Sequence, residues 1–394
     1  AMLVTVLRSS GLDIGYVMGG LFADESIPPA SRGSSDWLVA ELDESDGTIG
    51  LFSAEVTLFV NVDLDHCDRY SDLGDIENVF RALAARTSGT FFYNRSCPNS
   101  HRLFGKQRGA GMVSFGLGGD FDLLGSVEGG DGRVLSLGGR FGQTTARVRA
   151  LGGFNSQNAC AALAVAGHLG RAPKDDLLAR FPGVRRRQGI LVMGPHLTVM
   201  EDYAHHPTEI GALIETVRPT VAGRLVVVFQ PHRYSRTERF KAGFVEAFAS
   251  VDRLFLMDVY PAGESPVEGG ELNDLLKAFG PTYSEGICPS VVIDGNAGRS
   301  EVIDDCREGD FLLFVGAGTI DHFARRLVDE LCTRNNHLGR LTRFFKALAG
   351  NPNLVGMLKL SEPLARKTTI GVGGAAELFG EPSSIEDLQI LLTA

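Results

Sequence analysis

The chain has 394 residues and a formal net charge of −10 at pH 7. That length predicts two or three domains, and the negative charge argues against a dedicated nucleic-acid-binding protein. Hydrophobic residues make up 44% and charged residues 22%, as in ordinary globular proteins, so wholesale disorder is excluded.

Cysteine usage and hydropathy indicate the cellular compartment in which the protein is expected to fold. The six cysteines form no CxxC pair and show no spacing with histidine that is typical of a zinc site. No apolar run approaches the ~20 residues that a membrane-spanning helix needs, and the first residues lack the pattern of a signal peptide. We therefore expect a reduced, cytoplasmic protein that does not insert into a membrane.

The first element predicted is a helix. Residues 1–10, AMLVTVLRSS, carry apolar side chains at helical spacing with no capping residue ahead of them. We expect that this helix begins upstream and that a preceding segment is missing. Two strand candidates follow, Trp37–Leu42 and Val56–Val62, and acidic residues come directly after each.

The next segments predict a peripheral sheet and a buried helix. Between Thr90 and Val148 short alternating stretches are broken by glycine, which is typical of antiparallel hairpins. Residues Asn155–Gly170 have the alanine-rich composition of a buried helix that ends at glycine.

After about residue 183 the chain alternates between strands and helices. The strand candidates are LTVMEDY, RLVVVFQ, RLFLMDV, SVVID and DFLLFV, and the last helix runs to about Cys332. This alternation predicts right-handed crossovers and a mostly parallel sheet. A basic, partly helical stretch at 333–357 is interpreted as a linker, and SSIEDLQILLTA begins a final helix at a serine cap.

Polar residues in the alternating region fall where predicted strands end. Because ligands of open α/β sheets bind at the carboxyl ends of the strands, these residues are candidates for one site. They are Asp202, His205 and His206 after the first strand, residues 230–236 after the second, residues 258–264 after the third, and residues 316–318 after the last. His232, Arg233 and Arg236 also lie beside a helix N-terminus, which favours an acidic or phosphorylated ligand.

Purely structural interpretations of the same residues stay open. A lone GxG such as residues 316–318 is usually a turn, and the adjacent histidines 205 and 206 are as often structural as catalytic. The run 185–187, three arginines, is most often a solvated face.

The earlier part of the chain holds two acidic segments, VAELDESD and NVDLDHCDRY. Their side chains could surround a divalent cation, and magnesium together with a nucleotide is the specific form of this hypothesis. The alternative is a pair of solvated turns. The candidate ligands are Glu41, Asp43, Glu44 and Asp46 in the first segment, and Asp63, Asp65, His66 and Asp68 in the second.

Taken together, these motifs resemble the Mur ligases of peptidoglycan synthesis over about residues 1–332. The resemblance rests on VAELDESD, NVDLDHCDRY, GGFNSQNACAALAVA, GVRRRQ, EDYAHHPTE, FQPHRYSRT, DVYPAGESP and GAGTI, which occur in the family's order. It implies an α/β fold with a central ATPase domain at 1–182, truncated at its N-terminus, and a Rossmann-like C-terminal ligase domain at 183–332 with a mostly parallel sheet.

The runs AHHPTE, QPHRYSRT and DVYPAGE are similar to the branch that adds L-alanine to UDP-N-acetylmuramate. The resemblance implies that ATP phosphorylates the substrate carboxylate and that the amine attacks the acyl phosphate, with magnesium neutralising charge. It makes Glu41 and His66 metal ligands and assigns Asn158, Arg186 and Asp202 to ATP. The substrate-binding set that it implies is His205, His206, His232, Arg233 and Arg236, and the catalytic set is His66, Asp202, His206 and Arg233.

The chain departs from the family pattern in two places. The family's GxxGKTT loop and UDP-binding domain would precede Ala1, and without the phosphate cradle of that loop we expect an inactive fragment. Phe154 stands where the family usually has histidine.

The tail at 358–394 resembles the start of the UDP-N-acetylenolpyruvoylglucosamine reductases through TTIGVGGAAE. This implies a ligase–reductase fusion that would bind FAD only if the rest of the reductase is present. Two other functions stay open: a recycling Mur ligase that attaches a tripeptide, and a non-catalytic binding module. No motif indicates the oligomeric state.

Overall fold

The computed structural model describes residues 1–106, 111–129, 132–171, 177–280, 288–348, 352–367 and 374–394. The chain divides into two compact units, Ala1–Arg185 and Arg186–Ala394. Within the described ranges, no helix combines the length and the apolar character needed to cross a bilayer.

The first unit contains two sheets and the helices around them. Strands β1–β3 form a three-stranded sheet in the order β2-β1-β3, and β4–β9 form a six-stranded sheet in chain order. The helices are α1 (Met2–Ser9), α2 (Leu73–Ala85), α3 (Pro98–Phe104) and α4 (Gly153–His168). The strands are β1 (Gly15–Val17), β2 (Ala30–Ser31), β3 (Leu38–Ala40), β4 (Ala54–Phe59), β5 (Thr87–Asn94), β6 (Met112–Gly116), β7 (Phe121–Gly129), β8 (Gly132–Gly139) and β9 (Thr144–Val148).

The larger sheet corrects part of the sequence prediction. Strands β4, β5, β6 and β7 pair parallel in succession, so the start of the Thr90–Val148 region is not a series of hairpins. The reason is that α2 and α3 separate β4, β5 and β6 and act as crossover connections. Only β7, β8 and β9 pair antiparallel, as predicted.

Helix α4 is the centre of the first unit's core. Its residues from Ala159 to Ala166 are all buried, which confirms the helix predicted from the alanine-rich sequence. Because small side chains cover the helix on every side, neighbouring elements can pack around its whole circumference. Val4, Val6 and Leu7 of α1 belong to the same core.

The second unit is built on a six-stranded sheet in the order β10-β11-β15-β12-β13-β14. All its neighbours are parallel except the β10–β11 pair, which confirms the mostly parallel α/β fold. The strands are β10 (Gly189–Met193), β11 (Leu197–Asp202), β12 (Leu225–Phe229), β13 (Arg253–Leu256), β14 (Ser290–Val291) and β15 (Asp310–Val315). The helices around them are α5 (Pro207–Val217), α6 (Tyr234–Ala247), α7 (Leu272–Ala278), α8 (Asn296–Asp305) and α9 (Ile320–Thr333).

The end of the chain packs onto this same unit. It forms α10 (His337–Ala347), α11 (Pro352–Gly356), the antiparallel strands β16 (Leu358–Pro363) and β17 (Ala375–Gly380), and α12 (Ile385–Thr393). The stretch 333–357 differs from a simple linker, because Leu341 and Phe345 of α10 are buried in the core beneath α9. Ser384 caps α12 as predicted, accepting a hydrogen bond from the backbone N–H of Asp387.

Candidate functional site

The first unit brings the two acidic segments together. Asp43 and Glu44 follow β3, and His66 lies in the loop after β4. One possible ligand atom from each residue lies within 4.8 Å of the other two. The His66 Nε2 atom is 3.6 Å from Glu44 Oε1 and 3.9 Å from Asp43 Oδ1. We call these three residues the carboxylate–histidine cluster.

The electrostatics of the cluster suit a cation. Burial raises the pKa of the Glu44 carboxyl, and the neighbouring Asp43 and Asp65 carboxylates act in the same direction, while His66 opposes them. A divalent cation would favour the ionised carboxylate and offset this repulsion. The Nδ1 atom of His66 is buried and has no hydrogen-bond partner among the described residues.

Glu41, predicted as a metal ligand beside His66, is not a member of this cluster. Its backbone N–H donates to the carbonyl of Val17, which extends the pairing of β3 with β1. Its carboxylate Oε2 accepts a hydrogen bond from the backbone N–H of Gly19 at 3.2 Å. Asp43 and Glu44, which the sequence also offers as candidate ligands, lie nearest to His66, and the metal-ligand role of Glu41 stays a prediction.

Two further predicted residues lie on α4. Asn158 is half-buried in the second turn of the helix. Phe154, in the first turn, is 37% exposed. An aromatic side chain that is exposed at this helix end offers a stacking surface instead of the hydrogen bonds of an imidazole.

In the second unit, Asp202 ends β11 and fastens the segment before β10. Its Oδ2 accepts from the backbone N–H of Gln188, and its Oδ1 accepts from that of Ala204, both at 2.8 Å. Burial raises the pKa of Asp202, although these hydrogen bonds favour the carboxylate. Both carboxylate oxygens thus serve the backbone.

Arg186 contacts the glycine turn after β15. Its guanidinium donates to the carbonyls of Gly316 and Gly318, at 2.9 Å each, and stacks over the ring of Tyr203 at 4.7 Å. A Cβ at Gly318 would lie only 2.6 Å from Tyr260 Cγ and would also collide with Gln230 Oε1. Close packing therefore explains the small residue at Gly318.

The two adjacent histidines have different surroundings. His206 caps α5: its Nδ1 accepts from the backbone N–H of Thr208 at 3.3 Å, and its ring packs edge-on against Phe240. The His205 Nδ1 lies 2.9 Å from the carbonyl of Tyr203, so that nitrogen carries the proton. Glu209 accepts from both backbone N–H groups, and it completes the capping box.

The remaining basic residues form one group between β12 and α6. The guanidinium of Arg236, whose residue is only 2% exposed, donates to the carbonyl of His232 at 3.0 Å and to its Nδ1 at 3.1 Å. Burial lowers the pKa of His232 to about 3, and the positive charges of Arg236, His205 and Arg233 contribute. The ring of His205 lies 5.7 Å from that of His232.

Sequence reasoning brought together His205, His232, Arg233 and Arg236, which we call the basic cluster. Three side chains hold this cluster: Tyr260 and Glu264, which lie in the candidate range 258–264 without an assigned role, and Glu209, which the sequence did not single out. All three lie inside quoted motifs, AHHPTE and DVYPAGE, but a carboxylate beside basic residues carries no sequence signal of its partner.

Cationic side chains at strand ends in the second unit, and a carboxylate–histidine cluster in the first unit, are typical of enzymes that act on anionic substrates. Known families agree with this class. The Mur ligase middle domain family matches residues 30–166, and the family described as Mur ligase, glutamate ligase domain matches residues 185–318.

Individual relatives are similar over most of the chain. A UDP-N-acetylmuramate–L-alanine ligase of Xanthomonas campestris pv. campestris is 35% identical over 349 residues, covering 84% of this chain and 71% of the relative. A ligase of the same name from Mycobacterium sp. (strain JLS) is 32% identical over 352 residues, covering 85% and 71%. The chain belongs to the Mur ligase family, whose members are ATP-dependent acid–amino-acid ligases.

Solved structures share the fold. The UDP-N-acetylmuramate-alanine ligase MurC of Thermotoga maritima superposes with a TM-score of 0.66 at 25% identity, covering 84% of this chain and 71% of that one. A murein peptide ligase of Psychrobacter arcticus gives a TM-score of 0.61 at 17% identity, covering 85% and 75%. At 17% identity, the similarity to the murein peptide ligase shows a shared fold alone.

Proposed function

We propose that this chain acts in the ligation of L-alanine to UDP-N-acetylmuramate, with ATP activating the substrate carboxylate as an acyl phosphate. The basic cluster carries this proposal, because carboxylate recognition requires fixed cations, and Arg233 and Arg236 lie shortly after the buried end of β12 at Phe229. The names of the relatives that are 32–35% identical support the choice of substrates.

Within the basic cluster, Arg233 and Arg236 neutralise substrate carboxylates, and His232 accepts a hydrogen bond from Arg236 as a neutral imidazole. A guanidinium is suited to this task because it stays charged and can bind both carboxylate oxygens. His205 lines the same group. His206 caps α5 through Nδ1, and its buried Nε2, which has no hydrogen-bond partner among the described residues, carries the substrate and catalytic roles proposed for this histidine.

For the nucleotide, we infer that magnesium is held by the carboxylate–histidine cluster, and Glu41, whose carboxylate accepts from the backbone N–H of Gly19, remains a proposed ligand with His66. Bound magnesium supplies charge neutralisation to the ATP phosphates. Asn158 remains the proposed adenine contact. For ATP, we propose that Arg186 holds the glycine turn at 316–318 and that Asp202 holds the 186–188 segment. Both residues contribute to nucleotide binding by fixing these segments.

The test is release of inorganic phosphate from ATP by the complete gene product in the presence of magnesium, UDP-N-acetylmuramate and L-alanine, with the product identified by mass. We expect Arg236→Met to lower kcat/KM for the UDP-sugar by at least about tenfold, because a hydrogen bond to a charged group is lost. Arg239→Met is the matched control, since Arg239 is exposed on the same helix.

Three outcomes would overturn the proposal. A preference for tripeptide over L-alanine would make the chain a recycling ligase. Binding of nucleotide and UDP-sugar without phosphate release would make it a binding module. Equal kinetics for the two arginine variants would remove Arg236 from the substrate site.

The proposed fusion to a flavin reductase stays a prediction. Residues 358–363 and 375–380 form the β16–β17 pair, while residues 368–373 of the TTIGVGGAAE motif lie outside the described residues. Flavin absorbance of the complete gene product would test the fusion. The codons that precede this sequence would show whether the predicted GxxGKTT loop is encoded there.

A further inference from the structure

Glu264 lies behind the basic cluster and contacts it at two points. One carboxylate oxygen, Oε1, accepts from the guanidinium of Arg233 at 3.1 Å and from the hydroxyl of Ser235 at 2.7 Å. The other, Oε2, accepts from the backbone N–H of Ser235 at 3.0 Å. A single carboxylate thus joins the arginine side chain to the first turn of α6.

The ionisation of Glu264 is consistent with this arrangement. Burial alone would raise the pKa of its carboxyl, but the hydrogen bonds from Ser235 and Arg233, together with the positive charge of Arg233, outweigh burial and lower it. Its side chain is only 13% exposed, so solvent screens the pair weakly. The carboxylate is therefore a fixed negative charge behind the basic cluster.

The backbone around both residues is unusual and is held by several contacts. Arg233 has a positive φ of 72°, and its backbone N–H donates to the carbonyl of Tyr260 at 2.8 Å. Ala262 and Gly263, with φ of 49° and 85°, form the turn that returns the chain to Glu264. Left-handed backbone at a non-glycine residue costs free energy and persists only where the surroundings fix it.

We propose that Glu264 is a positioning residue of the ligase: it fixes the guanidinium of Arg233 and the start of α6 in the arrangement that receives a substrate carboxylate. This inference rests on the proposed function. Arg233 touches the substrate in that function, and Glu264 acts only through Arg233.

The first test is a double-mutant cycle of Glu264→Gln and Arg233→Met, with Glu268→Gln as matched control because Glu268 is an exposed glutamate of the same loop. Gln keeps the shape of the side chain and removes its charge. We expect Glu264→Gln to raise KM for UDP-N-acetylmuramate about tenfold and to leave KM for ATP unchanged. In the Arg233→Met background the same change should add nothing.

Additive effects of the two changes, or equal KM values for Glu264→Gln and Glu268→Gln, would overturn the positioning role. Thermal unfolding by circular dichroism checks that each variant is folded, and Glu264→Asp should restore part of the affinity that Gln loses. A purely structural role would lower the melting temperature without this split between the two substrates.

A second test does not depend on turnover. The Nη–Hη signals of the Arg233 guanidinium in an NMR spectrum, assigned with Arg233→Lys, should be protected from solvent exchange in the wild-type chain and in Glu268→Gln, because Nη1 donates to Glu264, and should lose that protection in Glu264→Gln. Equal protection in all three would overturn the inference. Absence of ligation with this loss of protection would overturn the proposed function and leave the positioning of Arg233 standing.

Discussion

The carboxylate of Asp202 accepts a hydrogen bond from the backbone N–H of Gln188 at 2.8 Å. The other oxygen of the same carboxylate accepts from Ala204. Gln188 has a positive φ of 52°, and Arg186 two residues earlier has one of 59°. Asp202 therefore stabilises a strained segment that carries Arg186.

From this follows a prediction for Asp202→Asn. One carboxylate oxygen becomes an amide NH2 group, which faces a backbone N–H in either orientation, so a buried donor loses its acceptor. We expect the free energy of unfolding to fall by about 1–3 kcal/mol, measured by urea denaturation, together with ligase activity. Asp294→Asn, at an exposed aspartate, should change neither. Lost activity at unchanged stability would instead indicate direct contact between Asp202 and a ligand.

A second prediction concerns the protonation of His232. Because the Arg236 guanidinium donates to Nδ1, the neutral ring carries its proton on Nε2. With a pKa of about 3, the ring should stay neutral when the pH falls from 7 to 5. Nitrogen chemical shifts of the imidazole measured across this range test both statements.

The matched variant for this titration is Arg236→Met. Removing the neighbouring positive charge and the donor to Nδ1 should raise the pKa of His232 toward its ordinary value. An imidazole that already takes up a proton near pH 6 in the wild-type chain would contradict the assigned environment.

A third prediction compares two glycines. Gly318→Ala places a methyl group 2.6 Å from the ring of Tyr260, and overpacking of this kind costs about 1–3 kcal/mol of stability. Gly211→Ala in α5 meets no atom within 4 Å and should stabilise the helix by up to about 1 kcal/mol. The two changes should therefore shift the melting temperature in opposite directions. Equal shifts would show that the packing around Gly318 is looser than described.

Strand identity and strand direction in the second unit were predictable because the runs at 225–229 and 311–315 are wholly apolar, and helical segments separate such strands. The direction of β5 and β6 in the first unit was not. Their alternating, glycine-flanked sequence is equally compatible with a hairpin, and the short helix α3 between them has little apolar periodicity to reveal it. Because β5 and β6 are close in the chain, the sequence suggested that they pair antiparallel as a hairpin. The structure instead connects them through α3 as a parallel pair.

The site shows the same division. The basic cluster was predictable because parallel strands end at one edge of a sheet, so His205 and His232 had to approach each other. The direction of each side chain was not, which is why the cap formed by His206 and the hydrogen bond from Gly19 to Glu41 were not predicted. Such choices depend on local backbone angles, and those of His66 and Arg233 are left-handed.

The last prediction uses His196, which is fully buried between the β10–β11 hairpin and α10. Its ring stacks on Phe345 at 4.8 Å. The hydroxyl of Thr342 donates to the carbonyl of Leu338, so it must accept from Nε2–H of the neutral His196 ring, 3.2 Å away. Burial lowers the pKa of this histidine to about 4, and the nearby His337 contributes.

The sign of the pH dependence follows from these contacts. The unfolded chain protonates His196 near its ordinary pKa of about 6.5, whereas the folded chain resists protonation down to about 4. The contribution of neutral His196 to the free energy of unfolding is therefore complete above about pH 6.5 and is lost as the pH falls toward 4. The loss amounts to about 2 kcal/mol at pH 5. Urea unfolding at pH 7 and pH 5 should show this loss in the wild-type chain and in His337→Gln, and a smaller loss in His196→Leu. If His196→Leu lost as much stability as the wild type on acidification, protonation of His196 would not be the cause of the pH-dependent loss of stability.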